Sequence, residues 1–197
     1  MWRDSLTNPE LEFIAESTLI SIVPNFRKDA IQLISGTYGP FKPNKTIQVP
    51  LWLAMQFRKN KKCTIKITDY LKETYLTETI ENEKKTKGTL IQLPNNFFEI
   101  AQILLNQAEE DFPNLKEVRG LVEDLLALRA EKINQMLECI NPESLYYKID
   151  AFNDKEIEQI RPFLNSIFPM RLQLYNVNNT QISDGSNDLF CLPNNSM

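Results

Sequence analysis

Every strong strand signal in this chain falls before residue 68, and every long helical pattern falls after it. Strands gathered first and helices gathered afterwards make an α+β fold. The expectation is a small β-rich N-terminal domain (residues 1–68), then a larger all-α helical-bundle domain (69–175), then a flexible C-terminal tail (176–197). Charge divides at the same place. Residues 1–68 carry 10 Lys and Arg against 5 Asp and Glu, a net of +5. Residues 69–197 carry 12 against 21, a net of −9. A basic smaller part joined to an acidic larger one reads either as two modules or as chance drift of surface charge.

Local signals fill in both parts. Thr7-Asn8-Pro9-Glu10 combines a capping residue, an early proline and a nearby acid, and starts a helix. Phe13 and Ile14 are expected on its inner face. Leu19–Val23 reads as a strand stopped by Pro24, and Ile31–Ile34 as a second. Gly36–Pro40 reads as a turn. Thr46–Val49 is a third strand. Pro50 opens a short helix from Leu51, whose basic end at Arg58–Lys62 suits the helix dipole. Cys63–Ile67 is a fourth strand. Asp69 is expected to cap a helix to about Lys85, which Lys87-Gly88-Thr89 breaks. Pro94-Asn95 starts the next helix, and Phe112-Pro113-Asn114 is a corner. The longest helix spans about residues 115–140. A last helical stretch spans about 153–175, where Pro162 and Pro169 should each kink or restart it.

Composition excludes much chemistry. The chain has no His, which removes Ser-His-Asp and Cys-His catalysis, histidine metal sites and histidine pH switches. Cys63, Cys139 and Cys191 are odd in number, widely spaced and without a CxxC, so they read as reduced thiols rather than zinc ligands. No run of 18 apolar residues suggests a membrane span, and the N-terminus lacks the apolar core of a signal peptide. Lys87-Gly88-Thr89 has the wrong order and no upstream glycine for a phosphate-binding loop. The densest acidic group, Glu109-Glu110-Asp111, reads as a solvated helix end rather than a carboxylate pair in a cleft. Cys63 has no base beside it and reads as a small apolar residue in a strand. No catalytic residue, metal site or cofactor is expected.

Two features point to binding. Arg58, Lys59, Lys61 and Lys62 form the best basic cluster. It is either a solvated helix end or a contact for nucleic-acid phosphate or an acidic partner, and no aromatic platform is interleaved with it. The long helix is the second feature. At about 100° per residue, its apolar residues from Leu115 to Ile140 fill roughly half the circumference, where one packed side needs only about 100°. That helix packs on two sides, either inside its own bundle or against another chain. Arg129 and Lys132 fall inside the arc, and no acid lies three or four residues from either. Arg129 therefore finds a carboxylate on another helix or chain, or it snorkels out at a wet edge.

Several stretches resemble one family, that of the second "partner of Sld-five" subunit of the eukaryotic GINS complex. They include Glu12-Phe13-Ile14-Ala15-Glu16, Ile22-Val23-Pro24-Asn25-Phe26 and Leu33–Phe41, then Val49–Ala54 and Lys62-Cys63-Thr64-Ile65. In the helical part they include Leu93-Pro94, Phe97–Ile100, Leu104-Leu105, Val118–Leu125, Arg129 and Lys132-Ile133. The resemblance runs in order over about residues 10–175. Where the family usually has Pro and Trp just after the fourth strand, this chain has Ile67-Thr68-Asp69-Tyr70-Leu71, with Tyr70 in the tryptophan's place.

The resemblance implies a non-catalytic nuclear subunit of a four-chain complex for DNA replication. Its partners would be three sister subunits, the MCM helicase ring, Cdc-forty-five and, through the complex, DNA polymerase epsilon. The partner interface is expected at Leu104, Leu105, Val118, Leu121, Val122, Leu125, Leu128, Arg129 and Lys132.

Overall fold

A computed structural model describes residues 7–86, 88–138, 151–167 and 169 of the chain. The first helix, α1 (Asn8–Glu16), begins where its capping signal lies. Glu10 reaches back to accept from the Thr7 amide at 2.6 Å and the Thr7 hydroxyl at 2.9 Å. Those bonds hold the Glu10 carboxyl below its usual range. The inner face of α1 differs from the expectation. Leu11 and Ala15, one turn apart, are buried, while Phe13 and Ile14 face outward.

Five strands follow among the described residues: β1 (Leu19–Pro24), β2 (Ile31–Leu33), β3 (Gly36–Tyr38), β4 (Ile47–Pro50) and β5 (Cys63–Ile65). β1 is the centre of an antiparallel sheet in the order β4-β1-β5. Its register pairs Leu19 with Pro50, Ile22 with Ile47 and Ile65, and Pro24 with Cys63. Ile20, Ile22 and Val49 are buried and supply the sheet's packed face. β2 and β3 form a separate hairpin, with Ile31 opposite Tyr38 and Leu33 opposite Gly36. The expected turn at Gly36–Pro40 is thus a correction: Gly36–Tyr38 is strand, and the chain reverses one step earlier. Pro50 precedes α2 (Leu51–Lys59), which buries Leu51, Leu53, Ala54 and Met55.

The helices are α3 (Glu73–Lys85), α4 (Phe97–Gln107), α5 (Leu115–Glu138) and α6 (154–167). A single 3₁₀ turn, Asp69–Leu71, and an extended Lys72 separate the sheet from α3, so Asp69 does not open that helix as expected. Instead Asp69 pairs with Lys72 at 2.6 Å. A second 3₁₀ turn, Glu109–Asp111, makes the corner before α5. α6 continues through Pro162 over the described residues, so that proline does not end it. The expected continuation of α5 to 140 and of α6 to 175, and the tail from 176, lie outside the described residues.

The chain divides into two compact units, Met1–Glu158 and Gln159–Met197. In the first, one hydrophobic core runs from Ala15, Ile20 and Ile22 of the strand-rich part through Leu51 and Leu71 to Phe97, Leu104 and Leu125 of the helices. The second unit's described residues continue α6 to 167. The architecture is α+β, a small strand-rich part followed by a larger helical one.

Candidate interaction site

α5 carries the residues on which an interface was expected, and the structure sorts them by depth. Val118, Val122, Leu125 and Arg129 are buried within the chain itself, as are Leu104 and Leu105 of α4. Leu121, Leu128 and Lys132 are half-buried along one flank. On the opposite flank Leu126 is exposed. The wide apolar arc is therefore a buried centre with two open edges. The centre packs on α3 and α4, and only the edges are surface. In the chain by itself these six side chains are buried and present no exposed surface.

Arg129 has 0% of its side chain exposed, and its partners lie in its own chain. Its Nε and Nη2 donate to Glu156 of α6 at 2.6 and 2.8 Å, a two-pronged ion pair. Nη2 also donates to the Ala151 carbonyl at 2.9 Å, and Nη1 to the Ile91 carbonyl at 2.8 Å. Glu83 of α3, equally buried, stands 3.7 Å from Nη1. The other Glu83 oxygen accepts from Lys132 at 3.2 Å, which also reaches the Thr89 carbonyl at 3.3 Å. Glu83 further accepts from the Ile91 amide at 3.1 Å, and Glu156 from the Asn153 amide at 2.9 Å. Two cations and two carboxylates thus neutralise one another where α3, α5, the 89–91 loop and the start of α6 meet. The sequence left two outcomes for Arg129, a carboxylate on another helix or chain or a wet edge; the structure supplies carboxylates 46 and 27 residues away in the chain, which no local spacing names.

The basic cluster is also sorted. Arg58 Nη2 meets Glu110 at 2.8 Å and Arg58 Nε meets Asp111 at 3.0 Å. Asp111 accepts from the Ile65 amide at 3.0 Å as well. Arg119 pairs with Glu109 at 3.5 Å. The acidic group expected to be a solvated helix end is therefore a brace between α2, β5 and α5, and Arg58 is taken out of the free cluster. Lys59, Lys61 and Lys62 stay exposed. A shallow hollow of about 260 Å³ beside them is lined by Arg58, Lys59, Lys61, Glu109 and Glu110 with Asn106 and Gln107. It is small and charged, unlike an apolar ligand pocket.

Further cations join these lysines, and the sequence cluster missed them. Asn25 is tied to the 61–62 backbone: its amide donates to the Lys62 carbonyl at 3.0 Å and its side chain to the Lys61 carbonyl at 2.9 Å. Lys28 and Phe41 exchange backbone hydrogen bonds of 3.0 and 2.7 Å. Phe26, Phe41 and Phe57 pack as a triad with ring centroids 5.3–5.4 Å apart. Each ring roots a basic segment: Arg27 and Lys28 after Phe26, Lys42 and Lys45 after Phe41, and the α2 end after Phe57. The +5 charge of the first 68 residues was the only sequence signal for this grouping.

Cys63 is buried, and its Sγ lies 3.7 Å from the Ala54 carbonyl. Burial first, and Asp111 second, push the thiol up to about 11, opposite to what a nucleophile needs. Among the described residues, no three His, Cys, Asp or Glu side chains are placed to hold a metal ion, and no helix is long and apolar enough to cross a membrane.

The described residues form an α+β fold whose buried charges between α3, α5 and the start of α6 are ion-paired. Residues 7–66 match the PSF2 N-terminal domain, and residues 70–175 match the GINS complex protein helical bundle domain. The "DNA replication complex GINS protein PSF2" of Homo sapiens is 32% identical over 181 residues, 89% of this chain and 97% of that one. The corresponding "Probable DNA replication complex GINS protein PSF2" of Drosophila melanogaster is 34% identical over 155 residues, 78% of this chain and 76% of its own. That of Brugia malayi is 37% identical over 158 residues, 79% and 83% of the two chains. The chain belongs to the GINS PSF2 family.

Proposed function

We propose that the chain is a non-catalytic, nuclear subunit of a four-chain GINS complex acting in DNA replication. In this reading the complex joins the MCM helicase ring to Cdc-forty-five, and through the complex the chain is linked to DNA polymerase epsilon. The single observation carrying it is the match to relatives named as GINS replication-complex proteins along 89% of this chain. The geometry supports the structural role: the buried charges of Arg129, Glu83 and Glu156 are paired with one another, and several apolar groups remain at the surface. Leu126 on α5, Phe13 and Ile14 on α1, Leu19 at the start of β1 and Ile34 at the hairpin tip are exposed apolar side chains of the size that interfaces bury. The interface residues of the helical part are then the open edges of α5, with Leu121, Leu128 and Lys132 on one side. The boundary near residue 68 separates the two modules of the subunit.

Co-expression tests this. The chain should be poorly soluble alone, and soluble with three sister subunits as a particle whose intact mass equals one copy of each. A stable soluble monomer at micromolar concentration, with no such particle formed, overturns the proposal.

A further inference from the structure

The exposed lysines at the end of α2 belong to a larger surface. β1 ends at Pro24, which is paired with Cys63 and bonded through its carbonyl to the Asn44 amide at 3.1 Å. Three segments far apart in the chain therefore meet at one end of the sheet: 25–28, 41–45 and 59–62. They expose Arg27 and Lys28 in the first, Lys42 and Lys45 in the second, and Lys59, Lys61 and Lys62 in the third. Asp29 is the one acid within or next to these segments along the chain; Glu109 and Glu110, across the hollow from Lys59 and Lys61, are paired with Arg119 and Arg58, and among the described residues none of these seven cations is in a salt bridge. Arg58, the one cation of the region with an acidic partner, is turned to Glu110 and Asp111.

We infer that this face binds the phosphate backbone of duplex nucleic acid, without reading its sequence. Three observations choose that ligand over an acidic protein or a single strand. Six of the seven cations are lysines, the residue type that protein–protein interfaces deplete and phosphate contacts use. The aromatic rings beneath, Phe26, Phe41 and Phe57, are spent on one another, so no ring is offered for base stacking. The cations also lie on adjacent chain segments rather than along one helix. Such a face presents a two-dimensional array of charge. It suits the two phosphate rows beside a groove better than one extended peptide. The Phe triad and the Asn25 bonds fix the platform before binding, so the lysine stems alone are ordered on contact.

The test uses the full chain in its co-expressed complex, with the intact mass recorded for each variant. Fluorescence anisotropy of a labelled 30-base-pair duplex is followed across 50–200 mM salt. Lys28→Gln, Lys42→Gln and Lys61→Gln are combined in one variant. A second variant, Lys84→Gln with Lys85→Gln and Lys116→Gln, removes the same charge from the helical part. The first should bind on the order of tenfold more weakly at 100 mM salt, and its log K against log salt slope should flatten by about 0.9 per lost contact. The second should bind as the unaltered complex does. Equal losses in both variants, no loss in the first, or no duplex binding at all overturn the inference. So does tighter binding of a 30-nucleotide single strand, or of a poly-glutamate peptide, than of the duplex.

Discussion

Arg129 gives up all its water, and what it receives in return is specific: both oxygens of Glu156 and two backbone carbonyls at 2.6–2.9 Å. Arg129→Met would leave Glu156 buried without its cation and Glu83 with Lys132 alone. Breaking one side of a buried pair costs roughly 3–5 kcal/mol. Removing Glu156 in addition should recover part of that, since a pair replaced together by apolar groups is nearly neutral. Hydrogen exchange of the α5 amides reads both variants, and unchanged protection in Arg129→Met would show the network contributes nothing. Cys63 makes a second prediction. Its thiol stays protonated up to about 11 in the fold, against 9.0 when free. The neutral form is the one the fold prefers, so Cys63 supports folding fully below pH 9 and loses that support as pH rises towards 11. Peptide mapping after iodoacetamide treatment at pH 8 should find Cys63 labelled far more slowly in the native protein than in urea. Glu99 is buried on α4 and its carboxyl is raised, by burial first, with Oε1 lacking a hydrogen-bond partner among the described residues. A raised acid destabilises the fold once pH climbs above its free value of 4.5, so Glu99→Gln should stabilise the protein at pH 7 and lose that advantage near pH 4. Urea midpoints at the two values measure it.

Elements repeat the same division between what neighbours in sequence determine and what distance determines. α1, β1, α2 and α5 were legible because their signals are local: a capping box, alternating apolar residues bounded by Pro24, a proline before Leu51, and a sustained helical period. The hairpin was not. Gly36, Tyr38 and Gly39 look like turn residues, yet pairing with Ile31–Leu33 draws Gly36–Tyr38 into a strand. The depth of α5's residues was equally hidden, since a half-circumference arc predicts two packed sides without saying which chain supplies either. Glu83 and Glu156 could not be matched to Arg129 for the same reason. The hairpin offers its own prediction. Gly39 has φ +124°, and a Cβ there would meet the Ala30 Cα at 2.7 Å. Gly39→Ala combines a backbone conformation L residues avoid with a clash against main chain, costing of order 1–3 kcal/mol. Lys28 is tied to Phe41 two residues from this point, so the variant should also loosen the basic face and weaken duplex binding. Loss of exchange protection at Lys28 and Phe41 checks it.

Across the molecule, the first unit joins its two parts twice over: by a continuous core from Ile22 to Leu125, and by the Arg58 brace to Glu110 and Asp111. Charge is distributed to match, with acids near the helical part's corner consumed by Arg58 and Arg119 and free lysines left at the sheet's end. The remaining question is which surface is incomplete without another chain, and two adjacent leucines of α5 answer it separately. Leu125 is fully buried, while its neighbour Leu126 is 38% exposed. Leu125→Asp puts an unpaired carboxylate into the core and should unfold the chain, whether or not sister subunits are present. Leu126→Asp leaves the core intact, since a charge on the open edge stays hydrated when the chain is alone. If sister subunits cover that edge, the same charge is desolvated on assembly and opposes it. A hot-spot contact at an interface costs about 2 kcal/mol or more, which is about a thirtyfold loss of affinity. Leu126→Asp should therefore keep native exchange protection in α5 and yet yield little intact four-chain particle by native mass. A Leu126→Asp particle formed in full yield would place the partner surface away from this edge of α5.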